Sequence, residues 1–279
     1  MSVKTIKIIF TLLLFCAVLL NLSAVIDSRA INAVDAALQR AVSAFAIARS
    51  LNAVLSVAQA TEVAIEPMGL GLTFKPGELL DPVNDLVERF SWIMLGSSVV
   101  YGIQKILLAM SAWPLIKGVI TAVFMLTLLL LWLKRCPGSL TRYACKMSIV
   151  LAFLRFSIPL VSVGNAWVYD EFLQQQYQQA AQDIKQHEST LRAISKSGVN
   201  PLEPADNLLQ KLTDAFNAQP GIQAQIQKLE QQVTELAQAF ADAIINLIVV
   251  FVLQTVIFPL LLLYGCYKLM QLVLKIDFI

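Results

Sequence analysis

The pattern of apolar and polar positions between Gly221 and Ile276 predicts one long helix that begins in water and ends in a membrane. Apolar residues recur at spacings of four and three, which is typical of a helix that packs along one seam. The opposite face carries Gln, Lys and Glu as far as Glu235, and Ile, Val, Phe and Leu from Ala243 to Tyr264. The first part therefore suits water and the second suits lipid. The predicted seam consists of Ile222, Ile226, Leu229, Val233, Leu236, Phe240, Ala243, Leu247, Val250, Gln254, Ile257, Leu261 and Tyr264.

The first apolar stretch, residues 1–26, is predicted to be an uncleaved signal anchor that forms the first membrane span. Lys4 and Lys7 precede its apolar part, Ile8–Ile26, as they would in a signal peptide. A cleavage site after Ala24 would place the bulky Leu22 where a small residue is required. We therefore favour an anchor over a cleaved signal peptide, which is the alternative that this stretch allows.

Residues 27–113 are predicted to form an exported helical region interrupted by one loop. Ser28–Ile65 is rich in alanine and has apolar residues at spacings of three and four, which predicts a helix with a close helical neighbour. Glu66–Asp81 contains two prolines and three glycines, which predicts a loop. An aspartate followed by a proline at its end predicts the start of a second helix, residues 82–113.

The loop is unusually apolar and is therefore a candidate interaction surface. One interpretation is a loop that binds a membrane surface or a partner protein. The alternative is a turn whose apolar side chains pack on the neighbouring helices. The candidate residues are Met68, Gly69, Leu70, Gly71, Leu72 and Phe74.

The rest of the chain alternates between apolar spans and polar segments. Two spans flank a short basic loop, and a Gln-rich helical hairpin with the same four-and-three seam follows the second of them. The predicted segments are a second span 114–134, a basic cytoplasmic loop 135–146, a third span 147–168, an exported hairpin 169–240, a fourth span 241–268 and a cytoplasmic tail 269–279.

Three clusters of basic residues decide the predicted topology, because cytoplasmic loops of membrane proteins carry an excess of Lys and Arg. If residues 91–113 formed a further crossing, the middle cluster would lie on the opposite side from the N-terminus. We therefore predict four spans in the inner (plasma) membrane with both termini in the cytoplasm, and residues 91–113 along the interface or packed against the bundle. The clusters are Lys4 and Lys7; Lys134, Arg135, Arg142 and Lys146; and Lys268 and Lys275.

Arg155 is the most informative single residue, because it lies in the third span, about 13 Å from the cytoplasmic end of that span. A charge at that depth is costly unless it is solvated, paired or extended to the interface. No carboxylate is predicted inside the membrane, so the candidate intramembrane polar pair is Arg155 with Gln254, which interrupts the apolar seam of the fourth span. The carbonyl left unpaired by Pro159 is a further candidate partner. Such a pair either fixes helix packing or lines an ion path.

The composition agrees with a multi-span membrane protein, since 57% of the residues are hydrophobic and 14% are charged. The sequence contains no phosphate loop, zinc-protease motif, nucleophile elbow, dinucleotide fingerprint or nucleic-acid-binding footprint. Cys136 and Cys145 match no common zinc spacing. His187 is interpreted as a structural seam residue, with pH sensing as the alternative. We therefore expect no enzymatic activity, cofactor, metal or nucleic-acid partner.

The predicted fold class is all-α, a four-span helical membrane protein with an extended exported, periplasmic layer of helices and coiled coils. Two functions are compatible with it. The first is a non-enzymatic envelope scaffold, interaction or signal-relay subunit, which is anchored in the lipid bilayer. Its exported helices would bind further copies or another membrane or periplasmic protein. The second is a homo-oligomeric channel or transport pore with Arg155, Gln254 and Lys117 facing the path. The continuous seam and the scarcity of charge in the spans favour the first.

Overall fold

The computed structural model describes residues 3–59, 63–65, 72–74, 76–133, 138–197 and 222–275. This part of the chain is helical apart from one short hairpin, in agreement with the predicted all-α class. Two π-helical segments, Tyr169–Leu173 and Leu253–Ile257, each join two α-helices without a gap. The α-helices are α1 (Val3–Leu22), α2 (Val25–Gln59), α3 (Pro76–Ser111), α4 (Pro114–Trp132), α5 (Gly138–Val168), α6 (Gln174–Ser197), α7 (Ile222–Val252) and α8 (Phe258–Leu274).

A short hairpin stands where the sequence predicts the end of a helix and part of a loop. Strand β1 (Val63–Ile65) pairs antiparallel with β2 (Leu72–Phe74), and Val63 lies opposite Phe74. Each strand has three residues, which is too short to leave a periodic signal in the sequence. The prediction therefore missed the hairpin.

The start of the third helix also differs from the prediction. The aspartate and proline at 81–82 predict a start at Pro82, whereas α3 begins at Pro76 and contains Pro82 within it. Proline is equally favourable at the first helical position in either place, because that position needs no N–H donor. The sequence offered two such starts, and the prediction took the later one.

Four described helices are long and apolar enough to cross a membrane, which indicates a membrane protein. α1 and α2 meet at a bend of 60° and count as one further span only when they are taken together. The four helices are Asp81–Ser111, Pro114–Trp132, Gly138–Gln186 and Thr234–Leu274.

The chain folds as two compact units, and each is built from segments that are distant in sequence. The segments of unit 1 are Met1–Ala41, Gly96–Phe172 and Val252–Ile279, and those of unit 2 are Val42–Leu95 and Leu173–Phe251. The two long helical pairs, α5 with α6 and α7 with α8, pass from one unit to the other in or next to their π-helical segments.

Hydrogen bonds within unit 1 fix the direction of α3 relative to α5. Gln104 Nε2 donates to Ser162 Oγ at 2.9 Å, and the Arg155 guanidinium donates to Ser111 Oγ at 3.0 Å. The later residue on α3, Ser111, contacts the earlier residue on α5, Arg155. The two helices are therefore antiparallel.

α4 is antiparallel to α5 as well. The hydroxyls of Thr127 and Ser148 lie 2.7 Å apart, and Lys117 and Arg155 both bind Asp27. α3 and α4 therefore follow each other in the same direction across a two-residue break and do not fold back as a hairpin. Most of residues 91–113 belong to Asp81–Ser111, which is among the helices long and apolar enough to cross a membrane, although the prediction did not count this stretch as a span.

The apolar core of unit 1 brings the ends of four helices together. Phe10 near the start of α1 and Cys145 near the start of α5 share one cluster, and Val273 near the end of α8 packs against it. Leu131 near the end of α4 packs there too. Four of the predicted basic residues lie within three positions of these cluster members in sequence: Lys7 near Phe10, Arg142 and Lys146 near Cys145, and Lys275 near Val273. The core cluster contains Phe10, Leu14, Val18, Ile120, Phe124 and Cys145.

Unit 2 buries apolar side chains from α2, α3, α6 and α7. The rings of Tyr177 on α6 and Phe251 on α7 meet edge to face, with centroids 5.9 Å apart. Tyr177 belongs to the predicted exported hairpin, residues 169–240, whereas Phe251 belongs to the predicted fourth span, residues 241–268. The largest fully buried side chains of unit 2 are Leu51, Leu55, Phe90, Met94, Ile184, Phe240, Ile244, Leu247 and Phe251.

The predicted seam of the long helix agrees with the structure from Phe240 to Gln254 and is wrong beyond it. The side chains of its first four residues, Ile222, Ile226, Leu229 and Val233, lie outside the described part of the chain. Phe240, Leu247 and Gln254 are at most 1% exposed, whereas Leu261 and Tyr264 are 60% and 59% exposed. A π-helical turn holds one extra residue, which rotates the following positions by about 100° relative to a continuous α-helix. The segment between α7 and α8 therefore turns the later seam residues outward.

Candidate functional site

Arg155 is buried in unit 1, and its guanidinium group binds three residues from other helices. Nε donates to Asn21 Oδ1 at 2.8 Å, and Nη1 donates to Ser111 Oγ at 3.0 Å. Nη2 donates to both carboxylate oxygens of Asp27 at 2.8 Å. Arg155 is only 2% exposed, and each of its three guanidinium nitrogens has a partner. This arrangement meets the requirement that a buried charge be paired and hydrogen-bonded.

The partners of Arg155 flank two breaks in the neighbouring helices. Two of them lie on either side of Ser23 and Ala24, where α1 and α2 meet at a bend of 60°. The third directly precedes Ala112 and Trp113, which separate α3 from α4. Arg155 on the continuous helix α5 therefore joins both breaks through its side chain.

The local sequence explains why the helices break here. Trp113 is extended (φ −62°, ψ 134°), as expected for a residue before proline, and Pro114 then starts α4. Asp27 lies in the first turn of α2, where a carboxylate suits the positive end of the helix dipole. The residues that start the two new helices thus lie next to the partners of Arg155.

Lys117 adds a second cation to this site. Its Nζ lies 2.5 Å from Asp27 Oδ2, and its side chain is 18% exposed. Asn21 connects it further, because Nδ2 donates to the Lys117 carbonyl at 3.0 Å and to Thr121 Oγ1 at 2.9 Å. The site therefore holds two cations, Lys117 and Arg155, around one carboxylate and carries one formal positive charge.

The structure gives Arg155 different partners from the one predicted. The expectation that no carboxylate is available to it is wrong, because Asp27, 128 residues away in sequence, binds it directly. Asp27 follows the first span and was therefore placed outside the membrane, but the bend between α1 and α2 brings it beside α5. Gln254 makes none of the described contacts of Arg155. One residue in the sequence could have indicated this site. Asn21 is a polar residue inside the predicted first span, and such a residue usually has a hydrogen-bonding partner on another helix.

Gln254 belongs to a second polar cluster of unit 1, in the π-helical segment between α7 and α8. Its backbone carbonyl accepts a hydrogen bond from Asn165 Nδ2 at 2.9 Å. The next residue, Thr255, places its hydroxyl 3.3 Å from Ser97 Oγ and 3.4 Å from the Tyr101 hydroxyl. Side chains from α3 and α5 thus hold the π-helical segment, whose widened turn departs from the usual α-helical hydrogen bonding.

The Arg155 site lies on a polar stripe that runs along α5 and into the π-helical segment that follows it. Polar side chains recur there at intervals of seven residues, and each is at most 6% exposed. Ser148 meets Thr127, Arg155 and Ser162 have the partners described above, and Tyr169 lies under the Arg40 guanidinium at 3.7 Å. Helices surrounded by lipid use such polar contacts for specific packing, because apolar contacts do not distinguish a helix from lipid. The stripe consists of Thr141, Ser148, Arg155, Ser162 and Tyr169.

The predicted interaction loop is described only in part. Leu72 and Phe74 belong to β2. Met68, Gly69, Leu70 and Gly71 lie outside the described residues.

The Arg155 site is suited to holding helices together. Its guanidinium is enclosed and bound on all three nitrogens, so it does not face an open path within unit 1. Comparisons of the chain with protein-family models, with curated proteins and with solved structures found no match.

Proposed function

We propose that the protein is a non-enzymatic membrane scaffold or signal-relay subunit, anchored by its apolar helices, whose exported helices bind a partner protein or further copies. The observation that carries this proposal is the closed contact network of Arg155. An arginine that lines an ion path must be in contact with water. The guanidinium group of Arg155 instead donates hydrogen bonds to Asn21, Ser111 and Asp27.

The continuity of the long helices supports a relay. α5, its π-helical segment and α6 run from Gly138 to Ser197, and α7, its π-helical segment and α8 run from Ile222 to Leu274. At about 1.5 Å per residue each run is roughly 80–90 Å long, well beyond the roughly 30 Å of a bilayer core. Each has an apolar part and a Gln-rich part, so each run joins a segment suited to lipid to a segment suited to water.

The proposed orientation places the basic ends of unit 1 in the cytoplasm and the Gln-rich helices outside. A cysteine-free protein with one new cysteine, at the exposed Ser139 or at the exposed Gln179, tests it in intact cells. An impermeant thiol reagent should label Gln179→Cys and leave Ser139→Cys unlabelled until the cells are permeabilised. The reverse pattern would contradict the orientation. Native Cys145 is unsuitable for this test because it is fully buried.

A second candidate function, a homo-oligomeric channel, is favoured by the exposed face of α2. Within unit 1, the exposed residues of α2 between Asp27 and Ala41 are polar or small. The exposed face of α3 in unit 1 is mostly apolar, with Val, Ile, Leu and Met beside the half-exposed Lys105. A polar face among apolar ones suits water or another protein better than lipid. The residues of the α2 face are Ser28, Arg29, Asn32, Ala36 and Gln39.

Bilayer recordings separate the two functions. The scaffold proposal predicts that the purified wild-type protein shows no conductance under applied voltage, tension or pH change. A channel predicts conductance whose ion preference follows the charge at Arg29, so Arg29→Glu should reverse it. Lys185→Glu, an equal charge change at an exposed position of α6, serves as the control. Conductance with this dependence on Arg29 would overturn the scaffold proposal.

A further inference from the structure

Two buried polar atoms of the Gln254 cluster lack protein partners. Within the described residues, neither Gln254 Nε2 nor Asn165 Oδ1 forms a hydrogen bond. Gln254 is 1% exposed and Asn165 is 4% exposed, so bulk water does not reach them. Burying a donor and an acceptor without partners carries the full cost of removing them from water.

Hydrogen bonds hold the Asn165 amide and the backbone around Gln254 in place. Asn165 Nδ2 is engaged by the Gln254 carbonyl, which directs Asn165 Oδ1 away from that bond. The backbone of Gln254 lies in the π-helical segment, which Thr255 ties to Ser97 and Tyr101. The cluster therefore presents one unused donor and one unused acceptor next to hydroxyl groups.

The charges nearby decide which ligand fits. Hydroxyls and amide oxygens would suit a monovalent cation, but the Arg40 guanidinium stacks on Tyr169, which follows Asn165 by four residues on the same helical run. A second cation would be repelled there. An anion would accept from Gln254 Nε2 but leave Asn165 Oδ1 without a donor. A water molecule both donates and accepts, and buried waters typically make two to four such bonds.

We propose that Gln254 and Asn165 form an internal water site, in which bound water accepts from Gln254 Nε2 and donates to Asn165 Oδ1 beside the Tyr101 hydroxyl. The site would hydrate the π-helical segment inside the apolar helices. It rests on hydrogen bonding within one chain and does not depend on the proposed scaffold function.

Radiolytic hydroxyl-radical footprinting of the full-length protein in lipid nanodiscs tests this site. Radicals formed from bound water oxidise adjacent side chains even where bulk solvent has no access. Tyr101 is 1% exposed and Phe124, in the apolar core of the same unit, is 0% exposed. With each rate normalised to that in the denatured protein, Tyr101 should be oxidised several-fold faster than Phe124. Equal, low rates for both residues would overturn the proposal.

A pair of variants assigns the water to Gln254. Gln254→Met keeps the length of the side chain but removes the unused donor, so oxidation of Tyr101 should fall to the level of Phe124. Gln104→Met is the matched control, because the Gln104 amide donates directly to Ser162 and needs no water. Unchanged oxidation of Tyr101 in Gln254→Met would show that Gln254 does not hold the water. The comparison of Tyr101 with Phe124 in the wild type stands even if a variant fails to fold.

Discussion

Asp27 and Asp35 both lie on α2 in unit 1 and both bind a cation from another helix, yet their surroundings differ. The Asp27 side chain is 9% exposed, and it binds Arg155, which is 1% exposed, together with Lys117. The Asp35 side chain is 39% exposed and lies 2.7 Å from Lys105 Nζ, which is 49% exposed. The contact between Lys105 Nζ and Asp35 Oδ1 lacks the alignment of a hydrogen bond.

The difference shows when an ion pair determines structure. Removing one member of a buried pair leaves an uncompensated charge in a low-dielectric environment, which typically costs about 3–5 kcal/mol. An exposed pair in water contributes only about 0–1 kcal/mol, because water solvates both partners when they separate. Asp27 should therefore hold the helix breaks in place, and Asp35 should be dispensable.

The largest effect is expected for Asp27→Asn, which leaves Arg155 and Lys117 without a counter-charge. We expect the free energy of unfolding to fall by about 3–5 kcal/mol. Equilibrium unfolding in mixed detergent micelles measures it. A loss below about 1 kcal/mol would show that the site behaves like an exposed pair.

The next effect is expected for Asn21→Leu, which keeps the size of the side chain but removes the acceptor of Arg155 Nε. A buried donor left without a partner costs about 1–3 kcal/mol, and the bonds to Lys117 and Thr121 are lost as well. Thr121→Val is the control, because it removes only the Thr121 hydroxyl. Equal stability of the two variants would show that the bond from Arg155 to Asn21 contributes nothing.

Ser111→Ala should have a smaller effect, since Arg155 keeps Asp27 and Asn21. One hydrogen bond to a charged group contributes about 1.5–3 kcal/mol at most, and part of this is recovered through the remaining partners. Thermal unfolding of Ser111→Ala against Ser139→Ala, an exposed serine on α5, measures the difference. A loss as large as that of Asp27→Asn would mean that Ser111, rather than the carboxylate, dominates the site.

The smallest effect is expected for Asp35→Asn, below about 1 kcal/mol, because the pair with Lys105 is half exposed. Its contribution should also shrink as ionic strength rises. Unfolding at low and high salt measures both properties. A large, salt-independent loss would show that this face of α2 is shielded from water.

The sequence predicted the helices well and their contacts less well. The seam from Phe240 to Gln254 and the continuity of the long helix follow from local periodicity, which one chain segment reveals by itself. The turn of the seam beyond Gln254 coincides with a π-helical segment, in which the Gln254 carbonyl and the Thr255 hydroxyl bind Asn165 of α5 and Ser97 of α3. Periodicity alone does not contain that information.

The partners of Arg155 could not be predicted from local sequence patterns either. Arg155 stood out in the sequence because a charge in an apolar span requires a partner. The identity of the partner depended on the bend at Ser23 and Ala24, which places Asp27 beside α5. Gln254 was also recognised as a polar residue on an apolar seam. The described hydrogen bonds of Gln254 and Thr255 are made with Asn165, Ser97 and Tyr101, and Arg155 takes no part in them.

The most direct test of the closed Arg155 site is a pair of double-mutant cycles on unfolding free energy. One cycle combines Asp27→Asn with Arg155→Gln, and the other combines Asp35→Asn with Lys105→Gln. We predict a coupling energy of at least about 2 kcal/mol in the first cycle and below about 1 kcal/mol in the second. Additive effects in the first cycle, with a coupling no larger than in the second, would contradict the account of Arg155 as the side chain that joins the two helix breaks.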